Sequence, residues 1–305
     1  MDGSPVTSQR RVILDTDIGS DVDDLLALAL IFGTPQIDLI AVTTVYGDTV
    51  LRAQIAKRVA RLGCREVHVE AGEEQPLSGR DVWWAGHEGV LYPDIETEVI
   101  DGRDAVGFLV DTALAEPGTI DVVAIGPLTN IARAIQRDAR FTGAVRHLWV
   151  MGGAFAAEEP EHNLRSDAAA AEVVFGSGLP VTVVGLDVTR RVRIDAGAVA
   201  RMAAPGTAFG SVVAAEVRQW WDLWTTTFNV PHDPVAVLAM TDPQFFTLSA
   251  HGSITVDTQG EVLGVSRFTE GHGTARVVRD LDVNAVTDAI IDRIAAAGRA
   301  SAAQT

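Results

Sequence analysis

The chain has 305 residues, 47% of them hydrophobic, enough to bury a large core; no apolar run reaches the ~20 residues a bilayer span needs. Its net charge of −17 argues against a nucleic-acid backbone or an anionic membrane as partner, since both are polyanions, and fits a cation or an uncharged small molecule. The single cysteine, Cys64, excludes an intrachain disulfide framework and a cysteine zinc cluster. With a start, MDGSPVTSQRRV, that lacks the apolar segment of a secretion signal, this predicts a cytoplasmic protein.

Short β-branched runs alternate with helical patterns along the first two thirds of the chain. RVILD (11–15) reads as a buried strand, DDLLALALIF (23–32) as a helix, IDLIAVTTV (37–45) as a strand and 50–62 as a helix. TIDVVAIG (119–126) reads as a strand. PLTNIARAIQ (127–136) then reads as a helix with Pro127 in its first turn. VRHLWVMGG (145–153) is a strand, AAAAEVVFGSG (168–178) a helix stopped by glycine, and LPVTVVGLD (179–187) a strand. This order predicts an α/β fold, a mostly parallel sheet with helices on both faces. After Gly252, the segments SITVD, VLGVSRF and TARVVRD predict a small antiparallel extension, followed by a closing helix at about 283–297. No linker or repeat divides the chain, so a single domain over 1–305 is expected, with about 1–9 and 299–305 flexible.

In open α/β sheets ligands sit outside the carboxyl ends of the strands. That rule gathers Asp15 and Asp17, then Thr43, Thr44 and Tyr46-Gly47-Asp48, then Gly126 to Asn130, then Met151-Gly152-Gly153. The turn after the first strand, DTDIGSDVDD (15–24), holds five aspartates. A helix N-terminus favours one or two carboxylates by ~0.3–1 kcal/mol each, which does not account for five. A hard divalent cation such as Ca2+, bound by carboxylates, carbonyls and water, does. The turn is not an EF-hand: counted from Asp15, position 5 is Gly19, position 6 is Ser20 and position 12 is Leu26. Further along, His232 and Asp233 precede an apolar helical run, with Asp233 also suited to capping it. Glu161 and Asn163, residue types that recognise hydroxyls, lie in the loop before a helix that Asp167 would cap.

Taken together, DTD-x-G followed by Asp23-Asp24, then TTVYGD, IGPLTNIA, MGGA, EHN with a following Asp, and HDP resemble the calcium-dependent nucleoside hydrolases of the inosine–uridine-preferring type. The motifs run from Asp15 to Pro234. The resemblance implies hydrolysis of the N-glycosidic bond of ribonucleosides, with inversion, and a homodimer or homotetramer. It implies Ca2+ held by Asp17, Asp24, Asp233 and the backbone carbonyl of Thr129. Asp17 would act as general base on a calcium-bound water and His232 as proton donor to the departing base. Asp23, Glu161 and Asn163 would hold ribose hydroxyls, and Asp15 would support the metal ligands from beneath.

Several positions depart from the family pattern. Ile18 stands in place of proline, and two inserted residues make Asp21 an extra carboxylate, expected to face solvent. Asp48 replaces an asparagine near the 2′,3′-hydroxyls. The 154–160 segment is short, and the asparagine that binds the 5′-hydroxyl in the family has no counterpart there. Trp220 and Trp224 share a helix face that suits stacking on a base, Trp224 above all, or packing in a core or an interface. His87 would line the leaving-group side or be an ordinary loop histidine. The alternatives are a metal-dependent phosphatase of the haloacid dehalogenase kind, which also begins with Asp-x-Asp after a strand, and a non-catalytic nucleoside- or sugar-binding module. Ile18-Gly19 and the extra aspartates disfavour the first; the intact base and acid candidates disfavour the second.

Overall fold

Side-chain alternation places the first strand between two cores. Val12 and Leu14 bury on one face of the sheet and Ile13 on the other. The computed structural model describes residues 9–204 and 206–303. Its strands are β1 (Arg10–Thr16), β2 (Ile37–Thr44), β3 (His68–Ala71), β4 (Ile120–Ala124), β5 (His147–Met151) and β6 (Val181–Val184). A two-stranded ribbon, β7 (Ile194–Asp195) and β8 (Phe228–Asn229), precedes β9 (Phe246–Leu248), β10 (Gly252–Val256), β11 (Ser266–Glu270) and β12 (Ala275–Leu281).

The helices of the first half are α1 (Asp23–Phe32), α2 (Thr49–Leu62), α3 (Ala105–Ala115), α4 (Thr129–Arg137) and α5 (Phe141–Ala144). Those of the second half are α6 (His162–Ser166), α7 (Ala168–Gly176), α8 (Leu186–Thr189), α9 (Ala196–Ala203), α10 (Ala208–Trp224), α11 (His232–Thr241) and α12 (Val283–Ala302). No helix among the described residues is long and apolar enough to cross a membrane.

The main sheet runs β3-β2-β1-β4-β5-β6-β12-β10-β11, with β9 also paired to β12. From β3 to β12 every pairing is parallel; β9, β10 and β11 are the antiparallel margin. The extension read after Gly252 is therefore part of the same sheet, joined through the parallel β6–β12 pair. Helices α1, α2 and α9 to α12 cover one face, and α3, α4, α5 and α7 the other. Pro127 lies two residues before α4 instead of in its first turn. Residues 299–302 are helical, with Ser301 buried. The rest of the ends expected to be flexible, 1–8 and 304–305, lies outside the described residues.

The chain winds outward from β1 through β2 and β3, then crosses to the other side of β1 with β4, β5 and β6. The switch point thus lies at the carboxyl ends of β1 and β4, where an open α/β sheet leaves a crevice. Gly126 keeps that crevice tight: a Cβ there would sit 2.7 Å from Asp17 Oδ1 and 3.0 Å from the Asp17 nitrogen.

On α10, Glu216 is buried, and burial pushes its carboxyl up to about 7, with the Tyr92 hydroxyl opposing the rise. A folded-state value above the ordinary one means that the native state holds the proton longer than the unfolded chain does. Stability from this group is therefore complete at low pH and is lost as pH rises from about 4.5 through about 7. Glu216→Gln is expected to stabilise the protein by about 1–3 kcal/mol at pH 8 and by almost nothing at pH 4. Urea denaturation at the two pH values checks this; equal effects at both would contradict it.

Candidate active site

At the switch point the structure encloses a cavity of about 490 Å3. Asp17 enters it from the end of β1, and Ser20, Asp21, Asp23 and Asp24 from the turn into α1. Ile125 follows β4 and Met151 ends β5. Pro160, Glu161, His162, Asn163 and Arg165 come from the loop before α6 and from α6 itself. Trp83, Leu186, Arg190, Trp220, Trp224, His232 and Asp233 complete the wall.

Asp23, Asp24 and Asp233 are all buried, and each offers a carboxylate oxygen within 4.8 Å of the other two. Burial, then the charges of the neighbouring aspartates, drives all three carboxyls well above the ordinary range. Burial raises Asp17 as well, and holds Asp15 and Asp21 at about 7. Carboxylates so placed are not all ionised near neutrality unless positive charge faces them. The donor set, buried carboxylate oxygens beside a main-chain turn, is that of a hard divalent cation.

One protein cation partly meets the same need from below. Arg52 of α2 is fully buried. Its guanidinium donates to the carbonyls of Asp17, Ile18 (2.9 Å) and Tyr46 (2.6 Å) and to the Ser20 hydroxyl (3.2 Å), and it packs 4.8 Å from the ring of Trp84. It thereby sets the backbone of the aspartate turn. His232, beside Asp233 at the start of α11, has its Nδ1 2.7 Å from the Thr189 hydroxyl. Burial, then the charge of Arg190, pushes this imidazole down to about 4, so it is neutral at pH 7.

Residues 12–288 match the family model described as inosine-uridine preferring nucleoside hydrolase. The chain belongs to that family. It is 36% identical over 260 residues to the inosine-uridine preferring nucleoside hydrolase of Leishmania major, covering 78% of this chain and 81% of that one. It is 32% identical over 283 residues to a probable uridine nucleosidase 2 of Oryza sativa subsp. japonica, covering 87% and 83%. A solved plant nucleoside hydrolase superposes with a TM-score of 0.84 at 25% identity, covering 93% of this chain and 98% of that chain.

Against this nucleoside hydrolase frame, most of the residues singled out in the sequence converge. Asp17, Asp23, Asp24, Glu161, Asn163, Trp224, His232 and Asp233 all line the cavity. Asp23 stands with Asp24 and Asp233 rather than apart from them. Glu161 accepts from the backbone N–H groups of Gly153 (3.2 Å), Asn163 (2.9 Å) and Leu164 (3.0 Å). The Asn163 amide donates to the carbonyls of Ile125 (2.7 Å) and Met151 (3.3 Å). Asp15 lies beneath, fully buried, accepting from Thr43 (2.6 Å) and Asn130 (2.7 Å). Asp167 caps α7 as read.

Four expectations are corrected. Thr129 does not line the cavity: it opens α4, and its hydroxyl donates to Asp167 at 2.7 Å. The residue of that turn on the cavity wall is Ile125. Asp48 is exposed and caps α2, accepting from the Leu51 N–H at 2.9 Å, because the left-handed Tyr46-Gly47 turn swings it to the helix start. His87 stands behind the wall, its ring edge-on to Trp220 at 6.3 Å. Asp21 does not face bulk solvent. It lines the cavity, half-buried, accepting from the Val22 N–H at 2.6 Å with the Asn229 amide at 3.5 Å.

Arg52 went unread in the sequence. Its signal is positional: residues 52, 55, 56 and 59 form the buried stripe of α2, so this arginine occupies a core position. Glu88 was also missed. It accepts from Ser20 (2.8 Å) and from the N–H groups of Ala85 and Gly86, fastening the tryptophan-bearing loop to the aspartate turn.

Proposed function

We propose that the chain hydrolyses ribonucleosides to ribose and free base with Ca2+ held by Asp17, Asp24 and Asp233. The observation that carries this reading is the convergence of buried carboxylates at the switch point, in one cavity with a neutral histidine and a tryptophan pair. Ile125 takes the place first given to Thr129 as the source of a carbonyl ligand, since it alone of the two borders the cavity. Ca2+, when bound, would offset the buried charge, grip the 2′,3′-diol and make water more acidic.

Asp17 takes the proton of the attacking water. The water oxygen bonds to the anomeric carbon as the C–N bond breaks, its electron pair leaving with the base. Attack from the face opposite the base inverts that carbon. The surrounding carboxylates favour the positive charge that develops on the sugar. Asp23, Glu161 and Asn163 hold ribose hydroxyls. The last two are fixed by their backbone hydrogen bonds, so little reordering accompanies binding. The Thr189 hydroxyl fixes the His232 ring through Nδ1 and leaves Nε2 to face the departing base. The ring is neutral at rest, so the base draws its proton from the imidazolium form, which the negative charge developing on the base favours. The rings of Trp220 and Trp224, 5.5 Å apart, offer a base a stacking surface. A homodimer or homotetramer in the cytoplasm belongs to the same proposal, the location supported by the free Cys64.

Incubation with uridine, inosine, cytidine and adenosine, with Ca2+ or with excess chelator, tests it. Reducing sugar from at least one nucleoside, abolished by the chelator, is the expected outcome. Turnover of p-nitrophenyl phosphate without ribose release would replace this reading by a phosphatase, and binding without release by a binding module.

A further inference from the structure

We infer that the preferred substrate carries an anionic group on its 5′ carbon: a nucleoside 5′-monophosphate, cleaved to base and ribose 5-phosphate. The inference rests on the nucleoside hydrolase reading and deepens it by assigning a charged subsite next to the sugar.

A second cavity, of about 400 Å3, adjoins the first. Trp83, His162 and Arg165 line both. Arg80, Tyr46 and Asp81 line the second alone. Among the described residues, neither Arg80 nor Arg165 has a hydrogen-bond or ion-pair partner for its guanidinium. Arg103, Arg193, Arg218 and Arg299 also lack one, but Arg80 and Arg165 line a single cavity together. Arg58, Arg61, Arg190, Arg201 and Arg267 all find carboxylates. Two unpaired guanidiniums lining one pocket beside a histidine make an anion site, and the guanidinium fork matches phosphate oxygens two at a time.

The groups that oppose an anion are Asp81 in the same cavity, Glu161 next to His162, and Asp17, Asp21, Asp23, Asp24 and Asp233 in the adjoining one. Glu161 is buried and turned to three backbone N–H groups. Arg190, held by Glu159, adds a third cation on the rim of the first cavity.

The proposed function sets which substrate position the pocket meets. In the proposed function the carboxylates take the 2′,3′-diol, and His232 with the tryptophans takes the base. The 5′ carbon is then the ribose position directed toward His162 and Arg165. Hydrolysis is unchanged in its balance: water adds to the anomeric carbon, the base leaves with the C–N electron pair and gains a proton, and the phosphate ester stays intact.

The test compares kcat/KM for uridine, uridine 5′-monophosphate and uridine 3′-monophosphate, and for the inosine series, at low salt with Ca2+. The 5′-monophosphate is expected to be favoured over its nucleoside by about tenfold or more, and the 3′-monophosphate, whose phosphate meets the carboxylates, to be disfavoured. Arg80→Ala and Arg165→Ala are each expected to cut the 5′-monophosphate's advantage about threefold to tenfold, and added salt to shrink it. A 5′-monophosphate cleaved no better than its nucleoside, or an advantage untouched by both substitutions, overturns the inference while leaving nucleoside hydrolysis standing. If no compound is cleaved, the functional reading fails. Calorimetric binding to Asp17→Asn protein then decides the subsite alone: tighter binding of uridine 5′-monophosphate than of uridine supports it, and equal binding overturns it.

Discussion

Asp17→Asn is expected to lower kcat for ribose release about a thousandfold at saturating Ca2+ while leaving the fold intact. A positioned general base contributes roughly 10²–10⁴-fold, and Asp17 is the carboxylate that β1 delivers to the cavity floor beside Gly126. Asparagine keeps the shape but takes no proton. The substitution also separates catalysis from structure. Burial raises the Asp17 carboxyl above its ordinary 3.8, so in metal-free protein its ionisation costs stability as pH rises through the folded-state value. The chelator-stripped variant is therefore expected to melt no lower than wild type at pH 7. Unchanged kcat would remove Asp17 as the base; a collapsed fold would make its role structural.

Arg52→Met is expected to destabilise the protein by about 3–5 kcal/mol, the cost of breaking a buried charge network on one side. Methionine fits the space between Trp84 and the turn but donates nothing. The carbonyls of Asp17, Ile18 and Tyr46 lose a buried donor, and the aspartates lose the protein cation beneath them. Calcium affinity is expected to fall with stability, because the ligand-bearing turn is no longer held. Arg52→Lys, with charge but no fork, is expected to lie between the two. Urea denaturation with and without Ca2+ checks this, and a methionine variant of wild-type stability would contradict it.

Where pattern and burial coincide, the fold was legible. The helix Asp23–Phe32 was readable because a continuous apolar run follows its two aspartates and all of it is buried, and the run from Ile37 because its second half, residues 41–44, is buried. Strand β3, HVEA, alternates polar and apolar residues but is only four residues long, too short for the alternation to stand out. Helix α3 hid in an apolar run without a marked polar face, although Asp104 caps it.

In the site, side-chain types were legible and directions were not. Residue order does not tell which peptide of the turn from Ile125 to Thr129 borders the cavity. The left-handed Tyr46-Gly47 turn that removes Asp48 from the site depends on packing under Trp84. Asp21 turns inward because the Val22 N–H and Asn229, 208 residues away, meet it there. Arg52 reads as one more surface arginine until its phase on α2 is set against the core.

The most direct test of the central claim is ribose release from uridine by chelator-stripped protein as Ca2+ is titrated back. Activity absent at the start and restored to saturation, in step with a rise in melting temperature as the buried carboxylates gain their cation, is the expected result. Full activity in the stripped protein, or a melting temperature that does not respond to Ca2+, would contradict it.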